Sequence, residues 1–498
     1  MQSPQSPTFL QDAHCLIVSN RGPVEYSVQA DGSWHYQRGL GGMVTALLSI
    51  GSLLHATWVA LAISPGDYQA VATLQRADRL PPAFEHLRGI NLRYVAIPAE
   101  ALHRHYGIIS NRVLWFLQHY LFHQLQPEVS EAELHDAWTQ GYVVANRALA
   151  TAVLAEMQRS PRRPVVLIHD YFLCLVAGLL RAQQPDAALL QFLHCPWPEF
   201  RYWQRLPDSI CQQLFTGLLA NDILGFQTPL DACNFLLGVP LMLNHEARID
   251  LGQMTATYRG HTTRVRAYPI GTLPEQDLRE AGELASFPEL APLVQARQRQ
   301  QRIILRVDRL DPSKQIVPGF AAYEHLLATH AQLREQVIFL ALCVPARESI
   351  GEYRRYRAEV QAAIERINRL YATATWQPIE VIYGNNRARA LTALQEFDVL
   401  LANVAADGMN LLVKEGIAVN RRQGVVVLSR TAGAYQQLHD AVLPVAPYSV
   451  EETAAALYTA LTMAPEDKQR LHEAGQQVIS ASTQEHWLAR QLADLARI

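Results

Sequence analysis

The stretch VLLANVAADGMNLLVKEGIAV, residues 399–419, decides the reading of the fold. It opens with a short apolar run, passes through small turn-forming residues and closes on a helix-period segment. A buried strand, a turn and a helix in that order is the repeating unit of a parallel sheet with crossover helices. The same order recurs along the chain. In the first half, strands are expected at Cys15 to Val18, Val165 to Ile168, Leu189 to Leu193, Ile223 to Phe226 and Val265 to Tyr268. In the second half they are expected at Ile303 to Val307, Val337 to Leu342, Ile379 to Ile382, Val399 to Ala402 and Val425 to Leu428. The class is α/β, in two halves.

A chain of 498 residues exceeds what one hydrophobic core usually serves, which also favours two domains. The breakers of PIGTLPEQ, residues 269–276, put a boundary near Gly271, followed by a polar, helix-prone stretch to Gln301. The expected domains are 1–271 and 272–480, with a C-terminal helix over 481–498 crossing back to the first. Hydrophobic residues make up 49% and charged ones 18%, enough apolar material for cores and no signature of disorder.

Net charge excludes one class of function. At −3, with no block of Lys or Arg, the chain lacks the clustered positive charge that nucleic-acid binding requires. An anionic ligand must then be met by individual arginines. The six cysteines show no metal-ligand spacing and read as reduced, buried thiols. The polar N-terminus lacks the order of a signal peptide, and no apolar run approaches a membrane span. A cytoplasmic protein without membrane attachment is expected, and a homo-oligomer is allowed.

The unusual polar residues gather at strand ends. Ser19-Asn20-Arg21 follow the first expected strand, His169-Asp170-Tyr171 the second and His194-Cys195-Pro196-Trp197-Pro198 the third. In the second half the same holds for DRLDPSK (308–314), PARE (345–348) and ADGMN (406–410). Open α/β sheets bind ligands outside the carboxyl ends of their strands, so two such edges facing each other are expected to form an interdomain cleft.

Each constellation has a bland reading and a chemical one. Gly39, Gly41 and Gly42 precede a helical pattern, where backbone amides can approach a phosphate or sugar; a plain turn is the alternative. Arg309 and Lys314 share a loop with Asp308 and Asp311. That is either a surface ion-pair cluster or a fork and a point charge for a diphosphate leaving group. No DxD occurs, so a divalent metal is not expected to carry that charge. Asp407 is either a helix N-cap or, with Glu415 two turns on, one of two carboxylates that accept from sugar and ribose hydroxyls. His169, Asp170 and His194 stand at adjacent strand ends and lack zinc-site spacing. Tyr106 and Trp115, near Asn111 and Arg112, read as core aromatics of an amphipathic helix or as a sugar-stacking wall. Arg347 is unremarkable by itself.

SNR, the glycine loop, SNxVLW, HDY, FLHxPWP, LGFQT, RLDxSK and DGMNLxxKE occur here in the order found in trehalose-6-phosphate synthases, from about Leu16 to beyond Ala434. The chain thus resembles glycosyltransferase family 20. The resemblance implies a GT-B fold of two doubly wound Rossmann-like domains and transfer of glucose from a nucleotide sugar, UDP-glucose or similar, to glucose-6-phosphate, with no cofactor. It assigns Arg309 and Lys314 to the donor diphosphate and Glu415 to the ribose. Asp407, His194 and the backbone of Gly408, Met409, Asn410 and Leu411 would hold donor glucose, with Gly42 closing over it. Arg21, Tyr106, Trp115 and Arg347 match the grip on the acceptor phosphate, and Asp170 an acceptor-sugar contact.

Two departures stand out. The family's WxGWSG is Trp58-Val59-Ala60-Leu61-Ala62-Ile63 here, so a stacking tryptophan is missing at Leu61, and Leu61→Trp is expected to sharpen the preference for glucose-6-phosphate if the pocket takes the added volume without overpacking. RLDYxKG becomes Arg309-Leu310-Asp311-Pro312-Ser313-Lys314-Gln315. Two other readings stay open: a relative with a different acceptor, including a pseudo-glycosyltransferase joining cyclitols, and a non-catalytic sugar-phosphate sensor. Against the pseudo-glycosyltransferase stand the DGMN and KE elements, and against the sensor the intact Arg309, Lys314, Asp407 and Glu415. No carboxylate suggests itself as a nucleophile for double displacement, which leaves same-face attack, with the departing phosphate accepting the acceptor proton.

Overall fold

The computed structural model describes residues 13–29, 31–38, 47, 56–76, 90–125, 128–272, 278 and 281–498. The glycine loop, with Gly39, Gly41 and Gly42, lies outside the described residues. The chain divides into two compact units. One comprises Met1–Gln118, Pro127–Pro269 and Glu485–Ile498; the other comprises His119–Gln126 and Ile270–Gln484.

The first unit is built from β1 (Ala13–Arg21), β2 (Val24–Val28), β3 (Trp34–Arg38), β4 (Thr57–Leu61), β5 (Asn91–Val95), β6 (Arg163–His169), β7 (Ala188–Phe192), β8 (Ile223–Phe226), β9 (Arg248–Asp250), β10 (Thr255–Tyr258) and β11 (His261–Ala267). Nine of these form one sheet in the order β5-β4-β1-β6-β7-β8-β11-β10-β9. β1 pairs in parallel with β4 and β6, and its Leu16, Ile17 and Val18 are fully buried, as a central strand covered on both faces requires. The strand runs on through Arg21, so Ser19, Asn20 and Arg21 are its last residues and do not follow it as expected.

The expected parallel sheet is in fact mixed. β10 runs antiparallel to both β9 and β11, and it turns into β11 through Arg259 and Gly260, both at positive φ (51° and 84°), the backbone of a two-residue hairpin. The short, partly exposed segments there give little hydrophobic signal, which is why the sequence did not disclose β9 and β10. β2 and β3 form a separate antiparallel hairpin.

At Leu61 the free volume that the tryptophan substitution requires is absent. This leucine is fully buried in the cluster that includes Leu16, Val18, Val59, Leu149, Val153, Ile168 and Leu189, so it is part of the core under the sheet. A tryptophan there would have to displace packed side chains. Leu61→Trp is therefore expected to destabilise the fold by about 1–3 kcal/mol, read as a lowered urea midpoint. An undiminished midpoint with sharpened acceptor preference would restore the earlier reading.

The second unit has one sheet, from β12 (Arg302–Arg309), β13 (Val337–Val344), β14 (Ile379–Tyr383), β15 (Val399–Ala402), β16 (Val425–Ser429) and β17 (Leu443–Val445), in the order β14-β13-β12-β15-β16-β17. All neighbours are parallel. The segment at Gly271 lies against 482–484: a Cβ on Gly271 would meet the Ser482 carbonyl oxygen at 2.2 Å, and Thr272 bridges to Thr483. Only glycine fits that approach. Among the described residues no helix is long and apolar enough to cross a membrane.

Candidate active site

Both sheets have a point where the strand order reverses. In the second unit the chain leaves β12 toward β13 and β14, then returns to β15 on the other side of β12. The loops after β12 and β15 therefore diverge and leave a crevice at the strand ends, where such folds bind ligands. In the first unit the same reversal lies between β1 and β6.

In the second unit this puts DRLDPSK beside ADGMN. Lys314, in a single 3₁₀ turn over Pro312–Lys314, forms an ion pair with Asp407. Burial pulls the lysine toward neutrality, but Asp407 and Asp308 outweigh it and hold its pKa above the usual value. Lys314 stays charged. Asp308 is itself raised to about 6, chiefly by burial, with Arg306 and Lys314 opposing. Arg309, at the end of β12, keeps 43% of its side chain exposed and can meet a ligand.

Asp407 is not the N-cap. Asn410 takes that place with φ 70°, and its side chain accepts from the Val413 amide at 3.3 Å. The loop before it is tied down, the Gly433 amide donating to the Asp407 carbonyl and the Ala434 amide to that of Met409. Gly408, Met409 and Asn410 thus lead into the helix Leu411–Val419, whose first-turn amides lack helical partners and whose dipole favours an anion there. Glu415, buried on this helix, accepts from Arg387 at 3.3 Å. Arg387 was not singled out from the sequence.

Lys414, next to it, is also buried, donating to the Ile270 carbonyl at 2.7 Å and to Gln437 at 2.6 Å. Burial lowers its pKa to about 7. The third arginine of the site, Arg347, follows β13. It bonds Asp311 at 3.3 Å and the Tyr353 hydroxyl.

In the first unit, Arg21 donates to the Tyr106 hydroxyl at 2.8 Å and lies 5.3 Å from that ring's centre. Half of the Arg21 side chain is exposed, and Glu25 pairs with it at 3.5 Å. Tyr106 belongs to a π-helical segment, His103–Leu114, running on into the helix Trp115–Gln118. π-Helical turns concentrate at functional sites, and the sequence pattern showed only an amphipathic helix. A second such segment, Trp138–Tyr142, packs on it at Gly141, where a Cβ would meet Arg104 Cβ at 2.4 Å.

Tyr106 stacks on Phe172 (6.1 Å, 15° between planes), Phe172 on Tyr171 (4.3 Å), and Trp115 leans against Tyr171. The aromatic wall is therefore wider than Tyr106 and Trp115, and Trp115 is its buried end. Asn111 is fully buried behind them.

His194, at the end of β7, meets His169 ring to ring at 3.3 Å, and its amide donates to Asp170 at 3.3 Å. Burial, then the neighbouring His169, depresses the His194 pKa; burial alone lowers that of His169 to about 3. Both rings are neutral at pH 7. Such rings hydrogen-bond hydroxyls and do not serve as cations. Asp170 has φ 74° and ψ 171°, a region that only glycine enters freely. Asp170→Gly should thus be about 1 kcal/mol more stable than Asp170→Ala, measured by denaturant unfolding, since both lose the carboxylate and only glycine sheds the strain. Equal stabilities would show that the backbone is unstrained there.

Among the described residues no group of three or more His, Cys, Asp or Glu is placed to hold a metal ion. The family model for glycosyltransferase family 20 matches residues 13–497.

The chain belongs to glycosyltransferase family 20.

Its relatives include the UDP-forming α,α-trehalose-phosphate synthase 1 of Aspergillus niger, 29% identical over 100% of this chain and 92% of the relative. That of Yarrowia lipolytica is 29% identical over 97% and 99%. Among solved structures, the E. coli trehalose-6-phosphate structure bound with UDP-2-fluoro glucose superposes with a TM-score of 0.81 at 28% identity, covering 97% of this chain and 99% of that one. The UDP-forming synthase of Burkholderia xenovorans in complex with glucose-6-phosphate gives 0.80 at 27%, covering 97% and 100%. The fold is the GT-B fold of these structures, and the protein is a family 20 glycosyltransferase. The motif order read from the sequence led to the same family.

Proposed function

We propose that this family 20 protein transfers glucose from UDP-glucose to glucose-6-phosphate, giving α,α-trehalose 6-phosphate and UDP. The observation that carries the reading is the charged Lys314 held by Asp407 beside Arg309, at the strand-order reversal of the second unit. A departing UDP needs just such fixed positive charge. Glu415 then receives the ribose hydroxyls, and Asp407, His194 and the amides from Gly408 to Leu411, with Gly42, receive donor glucose. Arg21, Arg347, Tyr106 and Trp115 take the acceptor phosphate, and Asp170 the acceptor sugar. Acceptor recognition is assigned mainly to 1–271 and donor recognition to 272–480. The buried thiols of Cys15, Cys174, Cys195, Cys211 and Cys343 suit a reducing cytoplasm.

In this mechanism the bond from the donor anomeric carbon to the UDP oxygen breaks, and the anomeric hydroxyl oxygen of glucose-6-phosphate bonds the same carbon on the same face. Its proton passes to the departing phosphate oxygen. The protein supplies charge and orientation. Incubation with UDP-glucose and glucose-6-phosphate tests this: UDP release that requires the acceptor, with trehalose 6-phosphate as product, is expected. No UDP release with any sugar phosphate would favour the sensor, and release with a cyclitol alone a pseudo-glycosyltransferase. EDTA should leave the rate largely unchanged, because Arg309 and Lys314 carry the charge a metal would; loss restored by magnesium would refute that division of labour.

A further inference from the structure

We propose that Asp311 is a positioning residue common to donor and acceptor binding, one buried carboxylate that sets the guanidinium groups of Arg309 and Arg347 together. This rests on the function proposed above. Asp311 has no exposed surface. Its Oδ1 is committed to its own turn, accepting from the Ser313 amide at 3.0 Å and the Ser313 hydroxyl at 2.8 Å. Its Oδ2 faces the arginines: Arg347 Nη1 donates a hydrogen bond to it at 3.3 Å, and Arg309 Nη2 stands 3.9 Å away as an ion-pair partner.

The Tyr353 hydroxyl accepts from the same Nη1 of Arg347, and the tyrosine ring centre lies 5.2 Å from that guanidinium. Arg347 is thus held on two sides with only 10% of its side chain exposed. Burial would raise the Asp311 pKa, but Arg309, Arg347 and His119, with the Ser313 amide, outweigh it and bring the pKa to about 2. The carboxylate is fully ionised at neutral pH.

Two effects of this carboxylate oppose each other at the ligand. It cancels part of the positive charge offered to a phosphate, and it fixes forks whose direction decides whether two parallel bonds can form. Orientation dominates here. An arginine already held in place loses less side-chain freedom on binding, its planar fork recognises phosphate only when aimed, and a guanidinium as enclosed as that of Arg347 is unfavourable without its counter-charge. Because one oxygen serves both arginines, disturbing it must be felt by both ligands.

Two substitutions separate charge from position. Asp311→Asn keeps an acceptor for Ser313 and removes the charge; Asp311→Glu keeps the charge and moves it by one methylene. UDP and glucose-6-phosphate are titrated separately by calorimetry, so no turnover is needed. Each variant is expected to bind both ligands about tenfold more weakly or worse. In an Arg347→Ala background, Asp311→Asn should add little to the loss of glucose-6-phosphate affinity yet still weaken UDP. Wild-type affinity of folded Asp311→Glu for either ligand, tighter binding by Asp311→Asn, or a lowered melting temperature with unchanged affinities would overturn the proposal. A wild-type protein that binds neither ligand would instead sink the function proposed above. Should Asp311→Asn fail to fold, the charged Asp311→Glu decides.

Discussion

Lys314→Ala is expected to lower turnover by about 10²-fold or more while the protein stays folded, because it removes a preorganised charge from the leaving diphosphate. The local effect is larger than the loss of one cation. Asp407 would lose its ion-pair partner, and Asp308, already raised to about 6 by burial against the pull of Arg306 and Lys314, would be pushed higher. The Asp407 carboxylate, left without Lys314, would then repel the diphosphate, while the rise at Asp308 favours its neutral form and adds no repulsion. Arg309→Ala should fall by a similar factor, since its guanidinium, 43% exposed at the end of β12, supplies the fork that the diphosphate meets. Single-turnover rates with UDP-glucose and glucose-6-phosphate decide this. Near wild-type turnover in either folded variant would contradict the assignment of these residues to the donor.

Arg347→Ala is expected to raise the KM for glucose-6-phosphate by about 10–10²-fold, the worth of about 1.5–3 kcal/mol in charge-assisted hydrogen bonds. Free glucose should be a poor acceptor for the wild type and no poorer for the variant, because cations built for a phosphate gain nothing from an acceptor without one. Equal wild-type rates with glucose and glucose-6-phosphate would make Arg21 and Arg347 structural. The same substitution has a signature in acid. A carboxyl held at about 2 in the folded state, below its value in the unfolded chain, contributes stability that is complete above the unfolded pKa. That stability is lost as pH falls through the folded one. Without Arg347 the Asp311 pKa rises, so the contribution at neutral pH shrinks, and the remainder disappears at a higher pH. Urea midpoints between pH 2 and 5 would show it.

How much of this was legible beforehand depends on the kind of signal. Strands buried on both faces, such as β8 (Ile223–Phe226) and β15 (Val399–Ala402), were read at their full extent, because a run of apolar residues bounded by turn formers is itself the local cause of such a strand. Short, partly exposed strands were not. β9, β10 and β17 span three or four residues with exposed or half-buried positions, so their pairing is fixed by neighbours the sequence does not place beside them. Whether Leu61 had room for a tryptophan was not legible for a related reason: motif comparison supplied a position, but the face of the strand on which that position lies is a matter of packing.

By itself, then, the sequence determined the class of fold, the motif order and the chemical types gathered at strand ends, since each of these is carried by residues adjacent in the chain. Only the tertiary structure decided the partnerships. Lys314 with Asp407 and Glu415 with Arg387, Arg347 with Asp311, His169 with His194 and Arg21 with Tyr106 join residues distant in sequence, and which carboxylate holds which cation depends on strand order. The strain at Asp170 and the αL cap at Asn410 belong here too. An Asn enters αL readily and an Asp at the angles of Asp170 is strained, but neither residue dictates its conformation; the packing around each strand end does.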